Sequence, residues 1–138
     1  MSSHNLYRSH DYEFAQVAEM HAKFDLGVSP TPSPAGTGQP MFERAACMRE
    51  ELQEFATACA DHDFPGMADA LIDLVVFAKG TAVQLGLPWA ELWEDVMRAN
   101  MAKERGVGKR GHKVDLIKPE GWQGPKTEEI LKRHGWKP

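Results

Sequence analysis

Apolar residues recur at spacings of three and four along most of this chain, and no strand-like alternation of useful length appears. Over residues 11–24, Phe14, Val17, Ala18, His21 and Phe24 share one face, which predicts a first helix. Between Met41 and Asp61 the stripe Ala45, Met48, Leu52, Phe55, Ala56 and Cys59 predicts a second. Asp61, His62, Asp63 and Phe64 break that pattern, and Pro65 suits the first position of a third helix running to Leu85. This third helix is apolar nearly all round, from Ala68 to Ala78, so the centre of a bundle is its expected place. Gly86 can cap it in the left-handed conformation, and Pro88 opens a fourth helix to about Lys103 whose inner stripe is Trp89, Leu92, Trp93 and Val96.

Two segments lack any period. Residues 26–40 hold four prolines and three glycines, which predicts a loop or mobile flap. The stretch after the fourth helix, about 104–138, is rich in Gly, Lys and Pro and reads as an extended basic tail packed on the bundle, with a short helix near Thr127–His134. The expected fold class is therefore all-α: a four-helix core with an antiparallel central hairpin, in a single domain spanning residues 1–138.

Composition narrows the setting. A chain of 138 residues, 42% hydrophobic, suits one globular domain. No window approaches the ~18 apolar residues of a membrane span, and the N-terminus has no apolar signal core, so a soluble cytoplasmic protein is expected. Cys47 and Cys59 on one helix would stand ~18 Å apart, too far for a disulfide, and are expected as core thiols. Charge is unevenly spread. Residues 1–97 carry 5 Lys and Arg against 15 Asp and Glu, whereas residues 98–138 carry 11 against 5. An acidic body with a basic tail suits an anion that arrives with cations, such as a metal-complexed phosphate, better than nucleic acid.

The acids supply the chemistry. Glu50, Glu51 and Glu54 occupy one arc of the second helix. Asp69 and Asp73, one turn apart, are the only acids in the apolar run from Met67 to Ala78, so at least one is expected to face inward, where it needs a counter-charge. Counted from a turn at 61–64, Glu54 and Asp69 lie about 9 and 6 Å up their helices, and Glu51 and Asp73 about 14 and 12 Å. In an antiparallel hairpin the acids then meet in two layers. Such an oxygen cage suits Mg²⁺ or Mn²⁺; the alternative is ion pairing with Arg44, Arg49 or Lys103. A carboxylate-only set disfavours zinc, and no E-x-x-H occurs to suggest a di-iron bundle.

The pattern EExxE at Glu50–Glu54, followed after fourteen residues by D-x-x-x-D at Asp69–Asp73, resembles the MazG-like members of the all-α nucleoside triphosphate pyrophosphohydrolases, relatives of phosphoribosyl-ATP pyrophosphohydrolase. FAQVAEMHAKFDLG resembles that family's first helix, DALIDLVVFAKGTAVQLGL its central helix, RANMAK the N-x-x-K end of its fourth, and KPEGWQGP the tail of its phage-type members. The resemblance implies that Glu51, Glu54 and Asp73 are metal ligands, with Glu50 a further ligand or a base that orients water. It places Asn100 and Lys103 on the sugar or phosphates, and leaves room for a substrate contact by His21, itself otherwise a satisfied core residue. It also implies a homodimer or homotetramer and, for phage-type members, a purine substrate such as dGTP. One departure stands out: many relatives have E-x-x-D in this helix, but here Ala70 precedes Asp73 by three, and Asp69 stands one residue earlier.

Lys103, Arg105, Lys109, Arg110, Lys113 and Lys118, spaced around glycines, are expected to reach a triphosphate. Together these readings predict metal-dependent hydrolysis of a (deoxy)nucleoside triphosphate to the monophosphate. Two competing readings are an HD-type phosphohydrolase built on His62-Asp63 and a non-catalytic helical assembly module.

Overall fold

The computed structural model describes the backbone of residues 3–108, 110–111 and 113–138, with side chains from Tyr12 onward in that span. The described chain is all-α, with five helices and one small sheet: α1 (Ser3–Lys23), α2 (Met41–Ala60), α3 (Phe64–Leu85), α4 (Trp89–Met101), β1 (Glu104–Gly106), β2 (Asp115–Ile117) and α5 (Thr127–Arg133). Among the described residues no single helix is long and apolar enough to cross a membrane. The chain divides into two compact units, Met1–Leu87 and Pro88–Pro138.

In the first unit α3 packs mainly on α2 and secondarily on α1. The α2–α3 pair is antiparallel: Arg44, near the start of α2, bonds the Phe77 carbonyl and Thr81 near the end of α3. The intervening turn is short and well specified. The N–H groups of Asp61, His62 and Asp63 bond the Thr57, Cys59 and Ala58 carbonyls, closing α2, and His62 takes φ 55°, the left-handed region in which glycine usually makes this closure. Asp63 then caps α3, accepting from the Gly66 N–H at 3.0 Å, with Pro65 in the first turn where its missing donor costs nothing.

Residues 26–40, expected as a loop or mobile flap, form a loop strapped to the end of α3. Prolines at 30, 32 and 34 remove every second backbone donor from this stretch and leave those between them. The N–H groups of Ser29, Ser33 and Thr37 bond the Val83, Leu85 and Gln84 carbonyls, and those of Gly86 and Leu87 turn back to Val83 and Ala82. The last four carbonyls of α3, which no helical partner can reach, are thereby all satisfied. Gly86, at φ 69°, makes that reversal possible.

The inward face of α2 differs from the predicted stripe. Arg44 and Ala58 are buried and Ala45, Cys47, Met48, Glu51 and Phe55 half-buried, whereas Leu52, Ala56 and Cys59 are exposed. Cys59 is thus not a core thiol, and both cysteines are free. Helix α3 is likewise buried only toward its C-terminal half, at Lys79, Gly80, Ala82, Val83 and Gln84, with Ala70 the one buried residue nearer its start. Leu71, Ile72 and Val75 remain 46%, 65% and 45% exposed. Hydrophobic periodicity marks every face that avoids water, including faces the described chain itself does not cover.

In the second unit β1 and β2 pair antiparallel, with Glu104 opposite Ile117 and Gly106 opposite Asp115. Three-residue strands are too short for a period of two to register in sequence, which is why the tail reads there as merely extended. Beyond β2 the chain folds back on α4. Trp122 donates its indole Nε1–H to the Ala99 carbonyl at 2.7 Å, Arg98 reaches the Gly124 carbonyl at 3.0 Å, and the Lys126 N–H bonds Asp95 at 2.5 Å. Helix α5 buries Ile130 and is held to α4 through Glu91, which pairs with Arg133 and, at 2.6 Å, with His134 Nε2.

Candidate functional site

Near the α2–α3 turn the two helices border an open cavity of about 640 Å³. From α2 it is lined by Glu50, Gln53, Glu54, Thr57 and Ala58, from the turn by Asp61 and Asp63, and from α3 by Gly66, Asp69, Ala70 and Asp73. Six carboxylates therefore face one space, because acids one turn apart on each helix share a face and the short turn brings those faces together. Asp61 and Asp63 were not anticipated here. In the sequence they read as the break between helices, and only the closure of the turn carries them to the cavity wall.

Glu50, Glu54, Asp69 and Asp73 are exposed. The acid turned inward is instead Glu51. Glu51 is half-buried, and its Oε2 is shut off from solvent with no hydrogen-bond partner. Burial raises its proton affinity above the ordinary carboxylate range, and the adjacent Glu54, Asp73 and Glu50 raise it further. No ion pair joins any of Glu50, Glu51, Glu54, Asp69 or Asp73 to a described Lys, Arg or His, so pairing with Arg44, Arg49 or Lys103 does not account for them.

These residues meet one test for a divalent cation and stop short of another. An all-oxygen donor set with an orphaned, shielded carboxylate oxygen fits a hard ion. Among the described residues, however, no three His, Cys, Asp or Glu side chains are positioned around a common point as a metal cage requires. The acids share a cavity without converging on one spot in it.

The other anticipated residues lie elsewhere. His21 is 1% exposed, in the interior of the first unit. Its Nδ1 lies 3.0 Å from the Gly27 carbonyl, which can only accept, so Nδ1 carries the proton. Asn100 and Lys103 stand half-buried at the end of α4. Arg105 on β1 and Lys113 in the following loop are exposed; Arg110 is taken up by both carboxylate oxygens of Asp115 at 3.2 Å, and Lys109 lies outside the described residues. The His62-Asp63 pair sits in the turn, with Asp63 spent on the α3 cap, and not on a rigid helical face.

The family model for phosphoribosyl-ATP pyrophosphohydrolase matches residues 17–100, more than half of the chain. The chain belongs to the phosphoribosyl-ATP pyrophosphohydrolase family. Its matched span runs from the buried Val17 on α1 through every carboxylate of the cavity to Asn100, so the acid-lined hairpin lies within it. The β1–β2 hairpin, Trp122 and α5 lie beyond it.

Proposed function

We propose that this pyrophosphohydrolase cleaves a (deoxy)nucleoside triphosphate to the monophosphate, using Mg²⁺ or Mn²⁺ at the α2–α3 cavity. The observation that carries the reading is the set of acids Glu50, Glu54, Asp69 and Asp73 lining one cavity, unpaired with any described Lys, Arg or His, with the half-buried Glu51 next to Glu50 on the same helix. Glu51, Glu54 and Asp73 would hold the ion, with Glu50 and Asp69 as further donors. When bound, the ion supplies positive charge against the phosphates and acidifies a coordinated water. If not a ligand, Glu50, exposed and lining the cavity, would orient the attacking water and accept its proton.

A purine is the favoured base, and dGTP the first candidate, because the KPEGWQGP segment resembles phage-type relatives, among them the (d)GTP-specific enzyme called MazZ. A homodimer or homotetramer is supported by the shortage of internal core. In the first unit Val17 and Val83 are the only buried hydrophobic residues larger than alanine among those described, while Leu52, Leu71, Ile72 and Val75 face outward.

The test is a nucleotide panel, including dGTP, the other (d)NTPs and phosphoribosyl-ATP, with Mg²⁺ or Mn²⁺ and with products resolved. Turnover of a triphosphate to its monophosphate, lost with chelator, is expected. Hydrolysis of phosphoribosyl-ATP alone would move the substrate to that of the family's namesake, and no turnover of any member would end the reading.

A further inference from the structure

Helix α4 ends on a bond that its own backbone does not supply. A continuing helix would bring the Lys103 N–H to the Ala99 carbonyl, four residues back. Instead the Lys103 N–H tightens onto the Asn100 carbonyl at 3.1 Å, while the Ala102 N–H takes the Arg98 carbonyl at 3.2 Å. Ala99 is 1% exposed, so its freed carbonyl sits where water has little access and needs a donor. That donor comes from the tail: the Trp122 indole Nε1–H reaches it at 2.7 Å. Two further bonds, from Arg98 to the Gly124 carbonyl and from the Lys126 N–H to Asp95, hold the segment carrying this indole along α4. The Lys103 ammonium in turn lies 5.4 Å from the centre of the Trp122 ring.

We propose that Trp122 is a positioning residue for the reaction, acting through Lys103. By occupying the Ala99 carbonyl, the indole makes the lysine leave the helix one bond early, which fixes the point from which its side chain starts. Its ring face then attracts the ammonium at the other end. A four-carbon side chain held at both ends has less freedom left to lose when it meets an anion, so the lysine is preorganised. The resemblance already places Lys103 on the sugar or phosphates. What is added is the residue that holds it, which lies beyond the matched span of 17–100. The inference rests on the proposed triphosphate reading.

Steady-state kinetics on the full chain, with Mg²⁺ and the best triphosphate of the panel, test this role. Trp122→Phe keeps a ring and removes the donor; it is expected to raise KM about fivefold and leave kcat nearly unchanged, because preorganisation serves ground state and transition state alike. In a Lys103→Gln background the same change should raise KM no further. If Trp122→Phe fails to fold, benzothienylalanine at position 122, an isostere lacking only the N–H, repeats both measurements with the packing kept. In nucleotide-free protein the Lys103 side-chain resonance, assigned by its loss in Lys103→Gln, should be shielded by the indole face and should shift when the donor is removed. A KM indifferent to loss of the donor, an equal rise in the Lys103→Gln background, a fall in kcat without a rise in KM, or an unshielded Lys103 resonance would overturn the role. Robust turnover with any of these results removes the positioning role alone. No turnover of any triphosphate removes the proposed function, and the role with it.

Discussion

The two ends of the α2–α3 hairpin treat their polar side chains in opposite ways. Far from the turn, buried polar groups are mostly matched. Arg44 places its guanidinium on Thr81 Oγ1, Gln39 Oε1 and the Phe77 carbonyl, all between 2.9 and 3.0 Å, and over the Phe77 ring. Burial lowers its proton affinity, yet its donors are met by neutral acceptors. His21 bonds Gly27, and Gln84, fully buried, donates to Leu26 while its backbone carbonyl holds the strap, although its side-chain Oε1 has no hydrogen-bond partner among the described residues. Near the turn, carboxylates collect with no cation to answer them. Burial with partners marks the interior of a fold, and collected charge without partners marks a place where something else belongs.

This contrast is open to direct attack. At the turn end, Glu54→Gln or Asp73→Asn should cut turnover by more than about a hundredfold while leaving the thermal transition in place, because both acids are exposed and removing charge relieves repulsion. Steady-state kinetics with a parallel melt would show it; retained activity in both variants would break the assignment. At the far end the effects should reverse. Arg44→Ala should lower unfolding free energy by about 3 kcal/mol in a denaturant titration, since three acceptors lose a charged donor in the interior.

Smaller effects sharpen the same division. A Cβ at Gly80 would stand 2.5 Å from His21 Nε2 and 2.7 Å from the Arg44 guanidinium, so Gly80→Ala should destabilise by about 1–3 kcal/mol with little effect on activity per folded molecule. Outside the hairpin, Glu91 is held below its ordinary 4.5 chiefly by His134 and also by Arg133, and Asp95 below 3.8 by the Lys126 N–H and Arg98. A depressed carboxylate contributes stability in full above its unfolded value and loses it as pH falls through the folded one. Release of α5 from α4 should therefore begin only below about pH 4, and Glu91→Gln should abolish most of that pH dependence in hydrogen exchange.

How much of this could be read from the chain differs by element. The four long helices were legible because each carries a sustained three-and-four spacing, and the start of α3 because Asp63 and Pro65 are cap and first-turn residues. The shared acid face followed from spacing across a short turn. The true inward face of α2 did not, because Leu52, Ala56 and Cys59 are as apolar as a core stripe yet lie exposed, and Arg44 and Glu51 are charged yet lie inside or at its edge. The strap over α3 escaped notice because its hold depends on backbone donors left between prolines. The bond from Trp122 to the Ala99 carbonyl of α4 joins residues about twenty apart through a hairpin too brief to leave a pattern.

The three-residue turn between α2 and α3 also sets the phase of the two helices. One residue added among Asp61, His62 and Asp63 would advance α3 by about 1.5 Å and rotate it about 100°, turning Asp69 and Asp73 off the wall opposite Glu50 and Glu54 while leaving every acid in the chain. A homologue carrying such an insertion would keep the whole inventory of carboxylates and lose their shared cavity, so the length of this link is as much a part of the chemistry as the acids themselves.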